Sequence, residues 1–194
     1  MTGTPRGYIS DTVANFNIVT GKATPEDLVF SGRRNPSIFG SIRNAFIWKQ
    51  FSLSLNIRYK FSYHFRRNSV DYTSLYNFFT GHSDYAFRWT KPGDETVTNV
   101  PVLPTTNTNY NNLYNLSNIL VEKGDHIRLQ DFRIAYDFER KVISKLSVQK
   151  AQLYVYANNI GILWRANKQN LDPDYGDSSI PPGRSIAVGI NVHF

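Results

Sequence analysis

Apolar residues recur at every second position in several stretches of this chain. The clearest is Phe51 to Phe61, where apolar or aromatic residues alternate with serine, asparagine, arginine and lysine. Because successive side chains of a strand point to opposite faces, the pattern predicts a strand with one apolar and one polar face. Ser185 to Phe194 repeats the alternation, and Ile38 to Lys49 and Leu153 to Leu163 carry it in a less regular form.

Two further stretches are irregular. In His126 to Phe138, the apolar residues before and after Gln130-Asp131 lie on opposite parities. One extra residue there, a β-bulge, would return them all to one face, so we predict a single bulged strand. The apolar residues of Tyr8 to Val19 are scattered, and they indicate at most one strand.

The connections between these segments alternate in length. Short ones are predicted at Lys49-Gln50 and at Glu139 to Lys150, whereas Thr20 to Ser37, Ser62 to Lys123 and Arg165 to Arg184 are long and polar. Outer-membrane barrels show this asymmetry, with short periplasmic turns and longer extracellular loops. The final strand would therefore run inward and end at the periplasmic rim.

The connections carry some local signals of their own. Asp71 is a candidate cap for a helix whose face holds Tyr72, Leu75, Tyr76 and Phe79, and Pro92-Gly93 marks a turn in the long loop 62–123. In the short connection, Val142, Ile143 and Leu146 suggest one helical turn.

These patterns predict an all-β fold, an antiparallel transmembrane β-barrel segment with long extracellular loops. The length of Phe51 to Phe61 suits a tilted strand crossing a bilayer, which needs about 9–11 residues. About five or six strands are predicted, fewer than the 8 of the smallest bacterial barrels, so the barrel is incomplete. Either the chain is the terminal part of a longer polypeptide, or it assembles with other strands, and we favour a fragment from a truncated or split reading frame.

Composition narrows the possible functions. Aromatic residues make up 14% of the chain and favour strands, and Cys 0 excludes disulfides and thiol chemistry. The formal net charge is +7, but Lys and Arg are scattered without a basic helix, so we expect no nucleic-acid partner. No apolar run is long enough for a transmembrane helix, and no signal peptide is evident.

Catalytic chemistry finds little support. The four histidines lack metal-ligand spacing, and no nucleophile or phosphate-binding motif occurs. Asp172 and Asp174 flank Pro173, and paired acids can serve a glycosidase or bind calcium, but turn formation and loop solvation explain them more simply. We predict no enzyme activity, no cofactor and no metal site.

Two sets of loop residues are candidates for solute or partner contacts. Arg88, Trp89, Asp94 and Glu95 lie close together in the long loop, where an Arg–carboxylate pair and a buried indole packing the loop on itself are the simpler expectation. The exposed aromatics Tyr110, Tyr114 and Tyr175 would suit stacking on sugar rings, although packing within the loops is again simpler. Trp48 and Trp164 near strand ends are candidates for interfacial girdles.

Several motifs resemble one family, the SusC/RagA-like TonB-dependent outer-membrane transporters of Bacteroidetes. Their order and spacing carry the resemblance over most of the chain, and they lie at Asn35 to Gly40, Phe51 to Ser54, Arg88 to Pro101, Gly124 to Asp131, Tyr154 to Asn159, Leu171 to Asp174 and Pro182 to Arg184. The terminal Phe194 also resembles the signal that the barrel assembly machinery reads, with a simple strand-capping aromatic as the alternative.

The resemblance implies a 22-stranded barrel with an N-terminal plug, a TonB-contacting segment and a SusD-like surface lipoprotein as lid. Plug, TonB segment and signal peptide are not recognisable here, so residues 1–194 are interpreted as the C-terminal part of the barrel. The expected function is import of glycans or peptides across the Gram-negative outer membrane, with outer-membrane lipid, the TonB complex and the lipoprotein as partners. The alternative is a soluble all-β carbohydrate-binding module, which would pack its apolar faces together.

Overall fold

The computed structural model describes residues 2–105, 110–139, 148–176 and 180–194, with the side chain of Tyr110 left out. The chain forms two compact units. One comprises Met1–Gly32 and Arg66–Glu122, and the other comprises Arg33–Phe65 and Lys123–Phe194. The helical turn predicted at Val142 to Leu146 lies outside the described residues.

Strands dominate the secondary structure. They are β1 (Arg6–Ile9), β2 (Thr12–Asn15), β3 (Ile38–Trp48), β4 (Phe51–Phe61), β5 (His64–Arg66), β6 (Val121–Lys123), β7 (His126–Asp137), β8 (Lys150–Arg165) and β9 (Ser185–His193). Within the described ranges they are accompanied by short 3₁₀ turns and by the α-helices α1 (Phe16–Lys22), α2 (Tyr72–Phe78) and α3 (Tyr110–Leu116). None of the helices within the described ranges has the length and hydrophobicity that a membrane span requires.

The second unit is built on a five-stranded antiparallel sheet in the order β3-β4-β7-β8-β9. The turn between β3 and β4 falls at Lys49 and Gln50, where Lys49 takes a left-handed φ of 53°. Opposite β4, the register shifts so that Asn56 pairs with Asp131 and Ile57 with Leu129. Gln130 is therefore the extra residue, and the predicted bulge is confirmed.

Other boundaries differ from the predictions. The stretch Tyr8 to Val19 is a β1–β2 hairpin followed by α1, because Asn15 caps the helix by accepting the Ile18 N–H at 3.1 Å. β8 extends beyond the predicted Leu153 to Leu163 at both ends, since it pairs with β7 and β9 along its length. The long loop 62–123 holds α2, α3, β5 and β6 rather than irregular chain alone.

One face of the five-stranded sheet is apolar and exposed. Its middle row crosses all five strands and consists of Phe46, Leu53, Ile134, Val155 and Val188. A soluble protein would bury such a row, yet Phe46 is 58% exposed and Val188 69% exposed. β3 and β9 each pair with one neighbour among the described strands, so the sheet is open.

Aromatic side chains cluster at both ends of this apolar face. At one end, Phe51 packs on Tyr136 with ring centroids 4.9 Å apart, beside the exposed Trp48. At the other end, Phe61 lies 6.3 Å from Trp164. Phe51 and Phe61 are about 33 Å apart along the strand, which a tilt of about 40° converts to about 25 Å, the height of the apolar band on a membrane barrel.

The first unit has a small buried core. It consists of Val70, Tyr72, Val100, Tyr114 and Leu120. The predicted cap of α2 is confirmed, because the Asp71 carboxylate accepts the N–H groups of Thr73 at 2.9 Å and Ser74 at 3.3 Å. The predicted turn at Pro92-Gly93 also forms, with Gly93 at a φ of 105° that favours glycine.

Candidate functional site

The polar face of the five-stranded sheet carries the chemistry of the second unit. Its central row runs through Arg43, Asn56, Asp131, Asn158 and Ser185. These side chains point away from the apolar face because each lies one position from an apolar residue on its strand. The face therefore offers amide, hydroxyl and charged groups on a rigid backbone.

Hydrogen bonds link side chains across the strands of this row. The Asn56 amide donates to Asp131 at 2.8 Å, and Arg43 lies 3.8 Å from the same carboxylate. The bulged Gln130 accepts from Arg58 at 3.3 Å and donates to Asn158 at 3.2 Å. The bulge thus places an additional amide among the polar groups of the face.

A second network lies toward the β7–β8 connection. Arg133 donates to the Gln152 carbonyl at 2.6 Å and stacks over the Tyr154 ring at 4.8 Å, while Gln152 donates to Asp137 at 2.8 Å. Gly189 leaves room for that ring, since a Cβ at this position would meet the Tyr154 hydroxyl at 2.5 Å. The glycine in the final strand is thereby explained by close packing.

Charged side chains concentrate at the opposite end of the polar face. Arg128 donates to both Asp172 oxygens at 2.5 Å, and Lys60 donates to Asp174 at 2.6 Å. His126 lies 3.4 Å from Asp174 through Nε2. We call these five residues the charged cluster. Arg128 is 5% exposed, and a buried guanidinium requires such partners to offset its desolvation.

The chain around β4 and β7 fixes the position of His126. Its ring is 1% exposed, and Nδ1 lies 2.9 Å from the Gly124 carbonyl oxygen and 3.1 Å from the Tyr63 hydroxyl. Tyr63 packs directly on Gly124, where a Cβ would meet the ring at 2.5 Å. Asp125 accepts the Ser62 N–H at 2.7 Å and closes this corner of the sheet.

Two ionisable groups at this corner, Asp174 and Tyr63, have pKa values shifted from their ordinary values. Burial opposes ionisation of Asp174, but the hydrogen bonds and positive charges of His126 and Lys60 outweigh it and hold the pKa of Asp174 below its ordinary value. Burial raises the pKa of the Tyr63 phenol, and the charges of Asp174 and Asp172 raise it further. At neutral pH, Asp174 is therefore an anion and Tyr63 a neutral phenol.

The role of the two aspartates was only half predicted. Turn formation is confirmed, because Asp172 caps the 3₁₀ turn Pro173–Tyr175 and accepts the Asp174 N–H at 3.1 Å. Loop solvation is wrong, since both carboxylates are largely buried by their contacts with the cations. The available signal was the polar parity of His126 and Arg128, two basic residues on a strand that needed acidic partners from elsewhere.

The loop of Arg88 to Glu95 packs on itself, but not through the expected contacts. Arg88 stacks over the Tyr85 ring at 4.1 Å and donates to the Tyr85 backbone carbonyl at 3.1 Å. These contacts replace the expected pair of Arg88 with a carboxylate. The Trp89 indole donates to Glu95 at 3.0 Å and is half-buried rather than buried. Asp94 accepts the Thr90 and Lys91 N–H groups at 2.9 and 3.0 Å. Hydrogen bonds to the carboxylates of Asp94 and Glu95 therefore stabilise the loop.

Two of the three candidate loop aromatics, Tyr114 and Tyr175, have described side chains. Tyr114, expected to be exposed, is 2% exposed in the core of the first unit and shares a hydrogen bond of 2.8 Å with Ser69. Packing within the loop, the simpler of the two expectations for Tyr114, therefore describes its ring, because the helical face of α3 turns it inward. Tyr175 is half-buried in its 3₁₀ turn, and the Tyr110 side chain lies outside the described residues.

Phe194 is 82% exposed just beyond β9, and its proposed role in barrel assembly stays a prediction. No group of three or more histidine, aspartate or glutamate side chains placed to hold a metal ion occurs within the described ranges.

A known relative resembles the chain in sequence. No protein-family model matches this chain. It is 25% identical over 208 aligned positions to the TonB-dependent receptor P26 of Formosa agariphila, in an alignment that spans 90% of this chain and 18% of that receptor.

Solved structures of an importer share the fold. The RagAB peptide importer in the 'open-open' state matches with a TM-score of 0.58 at 18% identity, over 96% of this chain and 19% of that chain. The RagAB peptide transporter matches with a TM-score of 0.62 at 18% identity, over 95% of this chain and 18% of that chain. The 'closed-closed' state of the importer matches with a TM-score of 0.61 at 18% identity, over 95% of this chain and 19% of that chain.

The resemblance to TonB-dependent outer-membrane transporters is confirmed. The predicted fold class is confirmed as well, because the described residues are dominated by antiparallel β-structure, their five-stranded sheet is not closed, and the chain shares its fold with the importer structures. The chain spans less than a fifth of the length of these relatives, and it aligns with one portion of each.

Proposed function

We propose that residues 1–194 form the C-terminal part of the barrel of a TonB-dependent importer in the outer membrane of a Gram-negative cell. One observation carries the proposal. The five-stranded sheet exposes an apolar face bounded by aromatic clusters at both ends and carries a connected polar network on the other face. Lipid contact on one side and a wet lumen on the other account for both faces.

The cargo and partners of the importer follow from the relatives. A peptide is the cargo of the RagAB importer, and we propose glycans or peptides as the class imported here. The family resemblance supports a SusD-like lipoprotein at the extracellular mouth and coupling to TonB through other parts of the polypeptide. The candidates for lid or solute contacts in this arrangement are the loop residues Arg88, Trp89, Asp94, Glu95, Tyr110 and Tyr175.

A soluble carbohydrate-binding module is less consistent with the sheet. Such a module would pack the apolar face against a second sheet to bury it. Among the described residues, Phe46, Val188 and Ile190 remain largely exposed on that face. The importer explains the exposure without a further layer.

Adjacent positions on β3 provide a matched test of the two faces. Ala45 and Phe46 are both exposed, but they point to opposite faces. Ala45→Cys and Phe46→Cys variants of the native polypeptide, with any other cysteines removed, are labelled with a fluorescent probe and reconstituted in vesicles containing brominated lipid. We expect lipid quenching at position 46 and quenching by aqueous iodide at position 45. Equal quenching profiles would contradict the assignment of the faces.

Transport is tested separately in cells. Deletion of the native gene is expected to abolish uptake of a defined peptide mixture or oligosaccharide mixture, and the complementing gene is expected to restore it. Unchanged uptake of both mixtures would refute the importer while leaving the membrane location to the quenching experiment.

A further inference from the structure

Positive charge is more exposed than negative charge along the middle of the polar face. In the Arg43–Asp131 pair, the arginine side chain is 66% exposed and the aspartate side chain 14%. Asp131 also accepts a hydrogen bond from Asn56, so its charge is shared between the Asn56 amide and the Arg43 guanidinium. A solute approaching this face meets guanidinium groups before it meets the carboxylate.

Arg58 reinforces this asymmetry. It is exposed, and its hydrogen bond at 3.3 Å goes to the neutral Gln130 amide rather than to a carboxylate. Directly across the strand pair lies Arg128, whose charge is already balanced by Asp172 and Asp174. Asp172 binds Arg128 and Asp174 binds Lys60, so both carboxylates are engaged within the charged cluster.

Arg43 and Arg58 are placed to act together. Arg43 pairs with Asn56 in the β3–β4 register, two positions from Arg58 on the same face. Diagonal neighbours of this kind lie about 7–8 Å apart, within the reach of two long side chains. Amide groups of Asn56, Gln130 and Asn158 border the two arginines and can pair with peptide N–H and C=O groups.

We propose that Arg43 and Arg58 form a binding strip for the carboxylates of acidic peptides on the inner wall of the importer. The inference rests on the proposed function, because it requires the polar face to line the path of the solute. Guanidinium groups suit carboxylates through paired N–H donors, and the flanking amides provide contacts to an extended main chain. Arg133 belongs to a different network, since it is bound to Gln152 and Tyr154.

The test measures binding of labelled peptides by fluorescence anisotropy to the native polypeptide purified in detergent. The peptides share one length and sequence frame, with Glu, Gln or Lys at alternate positions. Arg58→Gln and Arg43→Gln are compared with Lys168→Gln, which removes one exposed charge outside the sheet. Arg58→Lys keeps the charge but loses the planar donor pair.

We expect the Glu peptide to bind more tightly than the Gln peptide. Each of the two arginine variants is expected to weaken Glu-peptide binding by about three- to fivefold, the range of an exposed ion pair, with little effect on the Gln peptide. Arg58→Lys should recover part of the loss, Lys168→Gln should resemble the wild type, and about 0.5 M NaCl should remove the preference.

Three results would overturn the strip. They are equal binding of the Glu and Gln peptides, an equal loss in Lys168→Gln and Arg58→Gln, and tight binding of a uronic-acid oligosaccharide without binding of the Glu peptide. Failure of the importer gives a different result, in which deletion of the native gene leaves uptake of the Gln peptide unchanged. The two failures are thereby distinguished.

Discussion

Arg128 carries a charge on a buried side chain and therefore requires acidic partners. Its side chain is 6% exposed, and its charge is balanced by Asp172 at 2.5 Å and Asp174 at 3.6 Å, both from the connection after β8. A buried cation without a partner costs several kcal/mol, so these contacts hold the 3₁₀ turn Pro173–Tyr175 to the sheet. Lys60 and His126 complete the same attachment through Asp174.

Removal of one partner tests the attachment. We expect Asp172→Asn to destabilise the turn by about 3 kcal/mol, because it leaves Arg128 buried with one remaining carboxylate. Hydrogen exchange of the 166–176 backbone in the native polypeptide measures this as faster local opening. Asp137→Asn is the control, since Asp137 is exposed and bonded to the neutral Gln152, and its exchange profile should match the wild type. Unchanged exchange in Asp172→Asn would contradict the attachment.

The lowered pKa of Asp174 gives the attachment a defined pH dependence. Because the pKa is lower in the folded state than in the unfolded state, the stabilisation is fully present above the unfolded value of about 3.9. It is lost as the pH falls through the folded value. The groups that face Asp174 are Lys60, His126 and Arg128, all of which favour its anion.

A comparison of wild type with Asp174→Asn isolates this contribution. We expect the variant to be less stable at pH 6, with a deficit that shrinks progressively as the pH is lowered below about 4. The midpoint of urea unfolding, followed by tryptophan fluorescence, measures the difference at each pH. A deficit that stays constant down to pH 2 would show that the carboxylate charge is not responsible.

Among the elements, β7 shows how the register of a strand assigns its side chains to the two faces. Gln130 is the extra residue opposite β4, and it allows apolar side chains before and after it to share one face. Deletion of one residue elsewhere in the strand would turn the preceding half over, because the side-chain period is two. His126 and Arg128 would then point toward the apolar side.

Two single-residue deletions separate these effects. We expect deletion of Gln130 to be tolerated, since a regular strand would keep Leu129 and Phe132 on the same face. Deletion of Arg133 should prevent assembly, because it moves His126 and Arg128 to the apolar face. The amount of native polypeptide in the outer membrane, measured by immunoblotting, distinguishes them. Equal amounts in both variants would mean that the register is fixed by something other than the alternation.

The two faces of β9 allow a second comparison at the scale of the element. Ala187 and Val188 are adjacent, both exposed and on opposite faces. We expect Val188→Arg to cost about 2–4 kcal/mol of unfolding free energy, as for a cation on the lipid face near the midplane, and Ala187→Arg to cost less than about 1 kcal/mol. Urea unfolding in lipid vesicles measures both, and equal costs would contradict the lipid-facing assignment.

For the whole molecule, the decisive feature is the open sheet. β3 and β9 each have one neighbour in the described part of the chain, so both edges present unpaired backbone groups. In a hydrocarbon environment each such group costs several kcal/mol, and in water an exposed edge promotes association. Further strands are needed to close the sheet, in keeping with relatives more than five times as long.

Expression of residues 1–194 alone tests this consequence. We expect the chain to aggregate or to require detergent, because it combines open edges with an exposed apolar face. Size-exclusion chromatography with light scattering, with and without detergent, provides the measurement. A monodisperse monomer without detergent would favour the soluble binding module instead.

The sequence by itself determined the five strands of the large sheet, their faces and the bulge. Alternation is a local property with a period of two, so the strand Phe51 to Phe61 and the change of phase at Gln130 could be predicted directly. The start of α2 could be predicted because Asp71 is a residue type that caps helices. Only the tertiary structure brought Asp172 and Asp174 to Lys60, His126 and Arg128, because those contacts join residues far apart in the chain. Likewise, the burial of Tyr114 depends on what packs around α3, which no local pattern specifies.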